Sequence, residues 1–350
     1  MSDHLPSELQ SEIMKMLPVQ SLFRFRSVCK SWKSVIDSSD FITGYSGQHH
    51  HLFVGYTDDK DMFNYKQSFV SIVDDNNINS PKQRVSVTLP GFQYIIGSSH
   101  GLLCVYSPNR VLIFNPCIRR KAVAVDLSRV EYGWSIITVL GFGVCRETND
   151  PKIVKITPTI SLWQVEVFTL STGAWRSPYS DDFSCKSVKF SCDQVVIDGC
   201  LYWLARDRLV DEYYNLIVSF DLTSEEFREV NLPDSLAGYG SFSMYKLSDS
   251  LAVVKESIDA HKLGFDVWRM EDDSFKKLYT ISSHSPDVSI LRVCGLRKTG
   301  EPLLEVILRA QHGYTRMLAA YESYSKSITN LGIIGRNIYV YNYMETLLLL

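Results

Sequence analysis

The chain has 350 residues, enough for one large or two ordinary domains, and 45% of them are apolar, which excludes an intrinsically disordered segment. A net charge of −3 without a basic block argues against a nucleic-acid-binding surface. No apolar run reaches the length of a membrane-spanning helix, and the first residues carry Asp3 and no apolar signal stretch, so we expect no membrane insertion.

The segment 5–41 is predicted to be helical. Ser7 followed by Gln10 has the form of a capping box, and Leu9, Ile13 and Leu17 recur every four residues, as on one helix face. Pro18 should end this helix, because it has no amide hydrogen and disfavours helical backbone in the preceding residue. A second apolar stripe follows at spacings of three and four: Leu22, Phe25, Cys29, Trp32 and Ile36. The basic side chains between them are expected to stay in water: Arg24, Arg26, Lys30 and Lys33.

Helices this short cannot bury much surface alone. Two interpretations are therefore open at this point. The helices could be a cap packed on the neighbouring part of the same chain. Alternatively, they could leave part of their apolar face for a partner protein.

The same segment resembles an F-box of the plant type. Its LP start, its LPVQSLFRFR centre and its VCKSWKSVI end match the pattern of that family in order and spacing. The resemblance implies docking on a Skp-family adaptor and, through the adaptor, on a cullin. It also implies a set of residues that face the adaptor or build its site: Leu5, Pro6, Leu9, Ile13, Leu17, Leu22, Phe25, Val28 and Trp32.

The rest of the chain is predicted to be a repeat of strands. A strand, tight turn, strand pattern recurs every 47 to 54 residues, at Phe114, Phe168, Phe220, Val267 and Tyr321. A second turn recurs every 48 to 51 residues, at Gly101, Pro151, Gly199, Ser250 and Gly300. A period of this length with four strands per unit is typical of a kelch-like β-propeller, in which radial packing buries both faces of each sheet.

Five units of four strands, a to d, are predicted at 93–125, 136–178, 188–233, 241–282 and 289–333. A sixth is split: the segment 52–89 supplies three strands, and the C-terminal strand at 337–350 is expected to pair with HLFVGY and close the ring. An open sandwich and a propeller of five or seven blades are the alternatives. The predicted fold class is therefore α+β multidomain, with a helical segment that resembles an F-box at 1–45 and an all-β propeller, expected to have six kelch-like blades, at 46–350.

This region also resembles the F-box-associated domain of plant proteins. Its recurrent sequence motifs are matched across most of 90–290 by the segments GSSHGLLCVY, IFNPCIRR, LGFG and VFTLSTGAWRS. The segment 57–90 carries loops that do not align with that pattern, so the first blade departs from it. The resemblance implies recruitment of a target protein, whose identity varies between members of the family.

The two loop sets of the predicted propeller differ in length. The a–b and c–d turns are short, whereas the b–c and d–a connections are long, as in DLSRVEYGWS, DRLVDEYYN, SIDAHK and RAQHGYT. Long loops on a rigid scaffold commonly carry recognition, and exposed aromatic residues commonly anchor interfaces. The alternative is that these rings fold back on the blades. The substrate-binding candidates are Tyr132, Trp134, Tyr179, Tyr213, Tyr214, Tyr239 and Tyr314.

The sequence carries no recognisable catalytic motif. It contains no nucleophile elbow, H-E-x-x-H or kinase signature, and GYGSFS at 238–243 lacks the third glycine of a dinucleotide site. Adjacent histidines at 49–51 point in different directions in a strand, so they favour a weak metal site at most. The eight cysteines form no C-x-x-C pair and are expected to be reduced and buried. We expect no catalytic residue, metal or cofactor.

The sequence and its resemblance together predict a non-catalytic substrate receptor of an SCF-type (Skp–cullin–F-box) ubiquitin ligase, located in the cytoplasm, the nucleus or both. Within that class, a pollen-type S-locus receptor for ribonucleases and a defence-related receptor for immune proteins are alternatives. An alternative of a different class is a propeller enzyme or glycan binder with a structural helical cap.

Overall fold

The computed structural model describes residues 5–45, 47, 50–58, 67–74, 83–84, 94–107, 110–118, 122–127, 138–158, 163–178, 188–207, 214–238, 240–259, 262–283, 285–310 and 313–349. The described chain forms two compact units. Unit 1 comprises Met1–Phe53, Phe69–Leu127 and Tyr341–Leu350, and unit 2 comprises Val54–Ser68 and Ser128–Val340. The domain boundary between residues 45 and 46 stays a prediction.

Four short helices form the N-terminal segment: α1 (Ser7–Lys15), α2 (Val19–Phe25), α3 (Lys30–Ile36) and α4 (Ser39–Gly44). Pro18 separates α1 from α2 and precedes the first residue of α2, a position where its missing amide hydrogen costs little. The second apolar stripe is shared by two helices, because residues 26–29 leave the helical path. Cys29 caps α3, and its thiol sulfur accepts a hydrogen bond from the Trp32 amide at 3.5 Å.

The predicted capping box at Ser7 is wrong. Helix α1 begins at Ser7 itself, and Pro6 occupies the cap position, so the Ser7 hydroxyl has no early amide to cap. Gln10 instead donates a hydrogen bond from Nε2 to the Leu5 carbonyl oxygen at 2.7 Å, and its Oε1 accepts one from Trp32 Nε1 at 3.1 Å. Gln10 therefore ties α1 to α3.

In the described residues the strands form six four-stranded sheets, which confirms the six-bladed propeller. Blade 1 has the order β24-β1-β2-β3, with β24 at Arg336–Met344, β1 at His50–Thr57, β2 at Gln67–Val73 and β3 at Gln83–Arg84. The C-terminal strand therefore lies beside β1, as predicted. The predicted third strand of this blade, RVSVTL, lies mostly outside the described residues.

The other five blades are continuous in sequence, and their limits match the predicted units. Blade 2 contains β4 (Tyr94–Ser99), β5 (Leu102–Ser107), β6 (Arg110–Phe114) and β7 (Ala122–Asp126). Blade 3 contains β8 (Val139–Val144), β9 (Pro151–Pro158), β10 (Trp163–Thr169) and β11 (Ala174–Arg176). Blade 4 contains β12 (Val188–Ile197), β13 (Cys200–Asp207), β14 (Tyr214–Asp221) and β15 (Phe227–Val230).

Blade 5 contains β16 (Phe242–Leu247), β17 (Ser250–Asp259), β18 (Lys262–Glu271) and β19 (Ser274–Ser282). Blade 6 contains β20 (Val288–Leu296), β21 (Pro302–Ala310), β22 (Gly313–Glu322) and β23 (Ser327–Ile334). A short helix, α5 (Asp234–Ala237), connects blades 4 and 5. Neighbouring strands of blades 2 to 6 are antiparallel, for example β13 with β14 in register Leu204 to Ile217.

Turn chemistry and packing explain two of the glycine motifs. Asp198 and Gly199 join β12 to β13 with φ of 45° and 73°, the left-handed conformation that a tight hairpin turn requires. Gly141 of the LGFG motif lies against Trp203 of blade 4, where an added Cβ would overlap the indole ring. The glycine of this motif therefore permits close packing between blades 3 and 4.

Candidate functional site

The first helix presents apolar side chains to solvent. Leu5, Leu9, Ile13 and Met16 follow one another at spacings of three and four residues, and each is at least half exposed. Leu9 and Ile13 lie in α1, Leu5 lies just before it, and Met16 is its C-cap residue. We call these four residues the apolar face of α1. Exposed apolar side chains grouped in this way commonly mark a protein–protein interaction site.

The nine residues implied by the F-box resemblance occupy three different environments. Five are exposed: Leu5, Pro6, Leu9, Ile13 and Val28. Three are half-buried: Leu17, Phe25 and Trp32. The rings of Phe25 and Trp32 lie 5.1 Å apart, so both also pack within the helices. Their contact with an adaptor stays a prediction.

Leu22 is the one member of this set that is fully buried, and its part in the adaptor site stays a prediction. Its side chain is fully buried among Met14, Val19, Ile36 and Phe41, so it has no surface to offer a partner. Leu22 lies on the side of α2 that faces the other helices, and a one-dimensional spacing cannot distinguish that side from the outer one. Its role is to support the helices from inside.

An ion pair between Arg26 and Asp37 holds the end of α2 to the end of α3. Arg26, which was expected to stay in water, is half-buried and binds Asp37 through Nε–Oδ1 at 2.5 Å and Nη2–Oδ2 at 2.9 Å. The hydrogen bond from Arg26 holds the pKa of the Asp37 carboxyl below its ordinary value. A two-point pair of this kind sets the relative orientation of the two segments as well as attracting them.

Cys29 departs from the prediction that the cysteines are buried. Its thiol is exposed at the start of α3, and a hydrogen bond with the Ser31 hydroxyl lowers its pKa, as does the Trp32 amide. By contrast, Cys104, Cys145 and Cys294 are buried in strands or at a strand end, as expected. Cys185 and the side chain of Cys192 lie outside the described residues.

Two functional features were missed from the sequence. Met16 extends the apolar face of α1, and its position three residues after Ile13 could have identified it. The C-terminal residues Glu345 and Leu347 contact the helices, with Leu347 fully buried in the same cluster as Leu22. No local pattern links residues so far apart in the chain.

The predicted target-binding aromatics can be placed only in part. Tyr132, Trp134, Tyr179, Tyr213 and Tyr239 lie outside the described residues. Tyr214 begins β14 and Tyr314 lies at the start of β22; their side chains are exposed by 40% and 68%. The structure therefore leaves both rings accessible, rather than folding them onto a blade.

Two of the connections predicted to be long are hairpins. In blade 5, β17 and β18 pair as far as Asp259 with Lys262, and in blade 6, β21 and β22 pair as far as Ala310 with Gly313. The predicted loops SIDAHK and RAQHGYT are therefore mostly strand. Polar residues are tolerated there because both faces of these strand ends reach solvent.

Blade 4 places Tyr214 at the start of β14, and the hairpins that join the second and third strands of blades 5 and 6 carry further exposed apolar residues: Ile258, Leu263 and Leu308. Ile258 pairs directly with Leu263 across the blade 5 hairpin. The first strands of these three blades contact one another in order, β12 with β16 and β16 with β20, so the blades are neighbours. We call Tyr214, Ile258, Leu263, Leu308 and Tyr314 the hairpin surface of unit 2.

Within the described residues, no helix combines the length and apolar composition needed to cross a membrane. Across the same part of the chain, His, Cys, Asp and Glu side chains do not gather in groups of three or more that could hold a metal ion.

Comparison with known proteins yields two family matches along the chain. The F-box domain matches residues 2–43, and the F-box associated beta propeller domain matches residues 50–331. The helices α1 to α4 lie within or at the end of the first match, and β1 to β23 lie within or at the end of the second. The apolar face of α1 therefore falls in one matched domain and the hairpin surface in the other.

Two relatives from Arabidopsis thaliana span most of both chains. An F-box protein is 23% identical over 377 residues, which cover 91% of this chain and 87% of the relative. An F-box/kelch-repeat protein is 25% identical over 319 residues, which cover 86% and 82%. Among solved structures, TolB from Acinetobacter baumannii aligns with 87% of this chain and 69% of its own at a TM-score of 0.48 and 7% identity, too weak a likeness to support a functional argument.

Proposed function

The chain belongs to the F-box proteins that carry an F-box associated β-propeller domain, and from this membership we propose that it is a substrate receptor of an SCF-type (Skp–cullin–F-box) ubiquitin ligase. The helical segment would dock on a Skp-family adaptor, and through it on a cullin. The propeller would hold a target protein for ubiquitination and proteasomal degradation.

The apolar face of α1 is the observation that carries this proposal. Leu9 and Ile13 lie one helical turn apart and are about half exposed, although Met14, the residue that follows Ile13, is buried. Covering such side chains stabilises a complex by roughly 25 cal/mol per Å² of apolar area removed from water. An adaptor helix or groove with an apolar surface is the partner that this face fits.

In the proposed complex, the receptor contributes position rather than chemistry. Holding the target beside a ubiquitin-conjugating enzyme raises the effective concentration of the reacting lysine, which accelerates transfer without a catalytic side chain here. This expectation agrees with the receptor architecture of the F-box and its associated domain. The ligase activity would belong to the complex.

The hairpin surface of unit 2 is the proposed target-binding site in the described part of the propeller. Tyr214 and Tyr314 offer large rings with few rotatable bonds, which lose little entropy on binding. Ile258 and Leu263 lie side by side between them in blade order and add apolar area. A folded target with an apolar patch is the class of ligand that such a surface fits.

Reconstitution tests the adaptor part of the proposal. The wild-type chain, mixed with purified adaptor and cullin, should elute as a ternary complex, whereas the variant Leu9→Asp/Ile13→Asp should elute alone. Tyr324→Asp is the matched control, because Tyr324 is 97% exposed in the turn between β22 and β23. Separate elution of the wild-type chain would contradict the proposal.

Comparison of ubiquitin-modified peptides in cells tests the target part. Proteins modified in the presence of wild type but not of the Leu9→Asp/Ile13→Asp variant are targets of the complex. The variant Ile258→Asp/Tyr314→Ala should lose the same set of modified proteins while it still binds adaptor. An unchanged set would show that the hairpin surface does not hold the target.

A further inference from the structure

The core of the helical segment is completed by residues from far along the chain. Leu347, three residues from the C-terminus, is fully buried in one cluster with Met14, Val19, Leu22 and Ile36. Ile118, which lies between β6 and β7 of blade 2, is 6% exposed in the same cluster. Met14 lies on the inner side of α1 and packs in this cluster, whereas the apolar face of α1 lies on the outer side of the same helix. All these residues belong to unit 1.

Polar contacts fix the register of the C-terminal segment on the helices. Glu345 Oε2 accepts a hydrogen bond from the Val19 amide, the first residue of α2, at 3.2 Å. Tyr45 Oη donates to the Leu17 carbonyl oxygen at 2.9 Å and lies 3.5 Å from Glu345 Oε2. Burial, reinforced by the Glu345 charge, raises the pKa of Tyr45, so the phenol keeps the proton that it donates.

The same segment is anchored to blade 2. Asn115, which is fully buried, donates hydrogen bonds from Nδ2 to the carbonyl oxygens of Thr346 at 2.7 Å and Leu348 at 3.0 Å. Its Oδ1 accepts a hydrogen bond from the Cys117 amide at 2.9 Å, which fixes the side chain. Gly101 allows the close approach, because an added Cβ there would overlap the Met344 carbonyl oxygen.

The segment directly continues β24, and the end of that strand is itself bonded to blades 1 and 2. Tyr343 Oη lies 2.8 Å from Ser71 Oγ in β2. Ser98 Oγ in β4 donates to the Asn342 carbonyl oxygen at 2.8 Å, and Tyr341 Oη donates to the Ile95 carbonyl oxygen at 3.3 Å. Leu347 therefore reaches the helices from the end of a strand that is bonded to both blades.

We propose that residues 341–349, which we call the C-terminal clasp, couple adaptor binding to completion of the β-sheet domain. The helices would hold the apolar face of α1 in the conformation that binds the adaptor only after the last strand and the C-terminal clasp have packed in unit 1. Residues Glu345 and Leu347 are then positioning residues for adaptor binding, although they touch no adaptor. This inference rests on the proposed function.

The physical basis is the marginal stability of short helices. The four helices have six to nine residues each, below the length at which isolated helices are stable in water. If loss of the clasp leaves the helices ordered in about a tenth of the molecules, the apparent adaptor affinity falls about tenfold. A receptor with an unfinished propeller would thus be a poor ligase subunit.

Hydrogen–deuterium exchange on the full-length protein, together with adaptor affinity, tests the proposal. The variants are Leu347→Asp, the milder Leu347→Ala, and Tyr324→Asp as the control at an exposed turn. In Leu347→Asp, amides in 7–44 should exchange about tenfold faster or more, adaptor affinity should fall about tenfold, and exchange in β12–β15 should stay unchanged. Leu347→Ala should show the same pattern with smaller changes, and the control should match wild type.

Two results would contradict the proposed role of the C-terminal clasp. One is wild-type exchange in the helices and wild-type affinity in Leu347→Asp. The other is an equal increase of amide exchange in the helices and in β12–β15, seen in both Leu347→Asp and Leu347→Ala. The C-terminal clasp would then contribute only to the stability of the whole protein. If wild-type protein fails to bind adaptor, the proposed function is wrong, but exchange in the helices still decides whether the clasp orders them.

Discussion

At the scale of single residues, Leu9 and Leu22 show what sequence periodicity can and cannot predict about burial. Both were identified by helical spacing, and both match the F-box pattern. In the structure Leu9 is half exposed on the outer side of α1, whereas Leu22 is fully buried beneath α2. Spacing identifies the apolar stripe of each helix, but only the packing of several short helices decides which stripe faces inward. That packing depends partly on Leu347, which no local pattern reveals.

These two leucines should respond differently to the same truncation. Leu22→Ala should lower the free energy of unfolding of unit 1 by about 2–5 kcal/mol, because it leaves a cavity in a closed cluster. Leu9→Ala should change it by less than about 1 kcal/mol, because the site is half exposed. Urea unfolding of both variants checks the difference, and equal losses would contradict the assigned environments.

The Arg26–Asp37 pair should make the helical segment sensitive to acid. The pKa of Asp37 is lowered in the folded protein by its hydrogen bond from Arg26, so the pair stabilises the fold above the unfolded value of 3.8. The stabilisation is lost as pH falls through the lowered folded pKa. Asp37→Asn should therefore destabilise the helices at neutral pH, and its difference from wild type should vanish well below pH 3.8. Amide exchange in α2 and α3 across this range measures the effect, and a difference that persists at low pH would contradict it.

At the scale of elements, the blade repeat was predictable because two turn signals recur with one period of about fifty residues. The five continuous blades lie at the positions that those turn signals predict, and the C-terminal strand completes blade 1. The lengths of the connections were less predictable. At the ends of β17 and β21, polar residues suggested loops, although only two residues separate the last paired residues of each strand and its neighbour. A strand end with both faces in solvent has no alternation to detect.

Gly141 offers a test of the packing between blades 3 and 4. Gly141→Ala should lower the free energy of unfolding by about 1–3 kcal/mol, because the added methyl group overlaps the buried Trp203 ring. Gly238→Ala is the matched control, since its Cβ would meet the Asp234 carbonyl oxygen at an ordinary 3.5 Å. Unfolding monitored by Trp fluorescence distinguishes the two. Equal stability of both variants would show that blade 3 can move away from Trp203.

At the scale of the whole molecule, two exposed apolar surfaces belong to the two matched domains. The apolar face of α1 was predicted from periodicity and from resemblance, apart from Met16, whereas Ile258, Leu263 and Leu308 of the hairpin surface were not. A sequence cannot show which apolar residues of a strand remain uncovered. In the proposed receptor, the first surface would bind an adaptor and the second a target.

The central claim is that the apolar face of α1 binds a Skp-family adaptor, and calorimetric titration of purified adaptor into the full-length protein tests it most directly. Wild type and Tyr324→Asp should bind with equal affinity, and Leu9→Asp/Ile13→Asp should show no measurable heat of binding while its propeller melts at the wild-type temperature. Equal binding by the Leu9→Asp/Ile13→Asp variant would place the adaptor elsewhere. Absence of binding by wild type would contradict the assignment of the helices as a docking module.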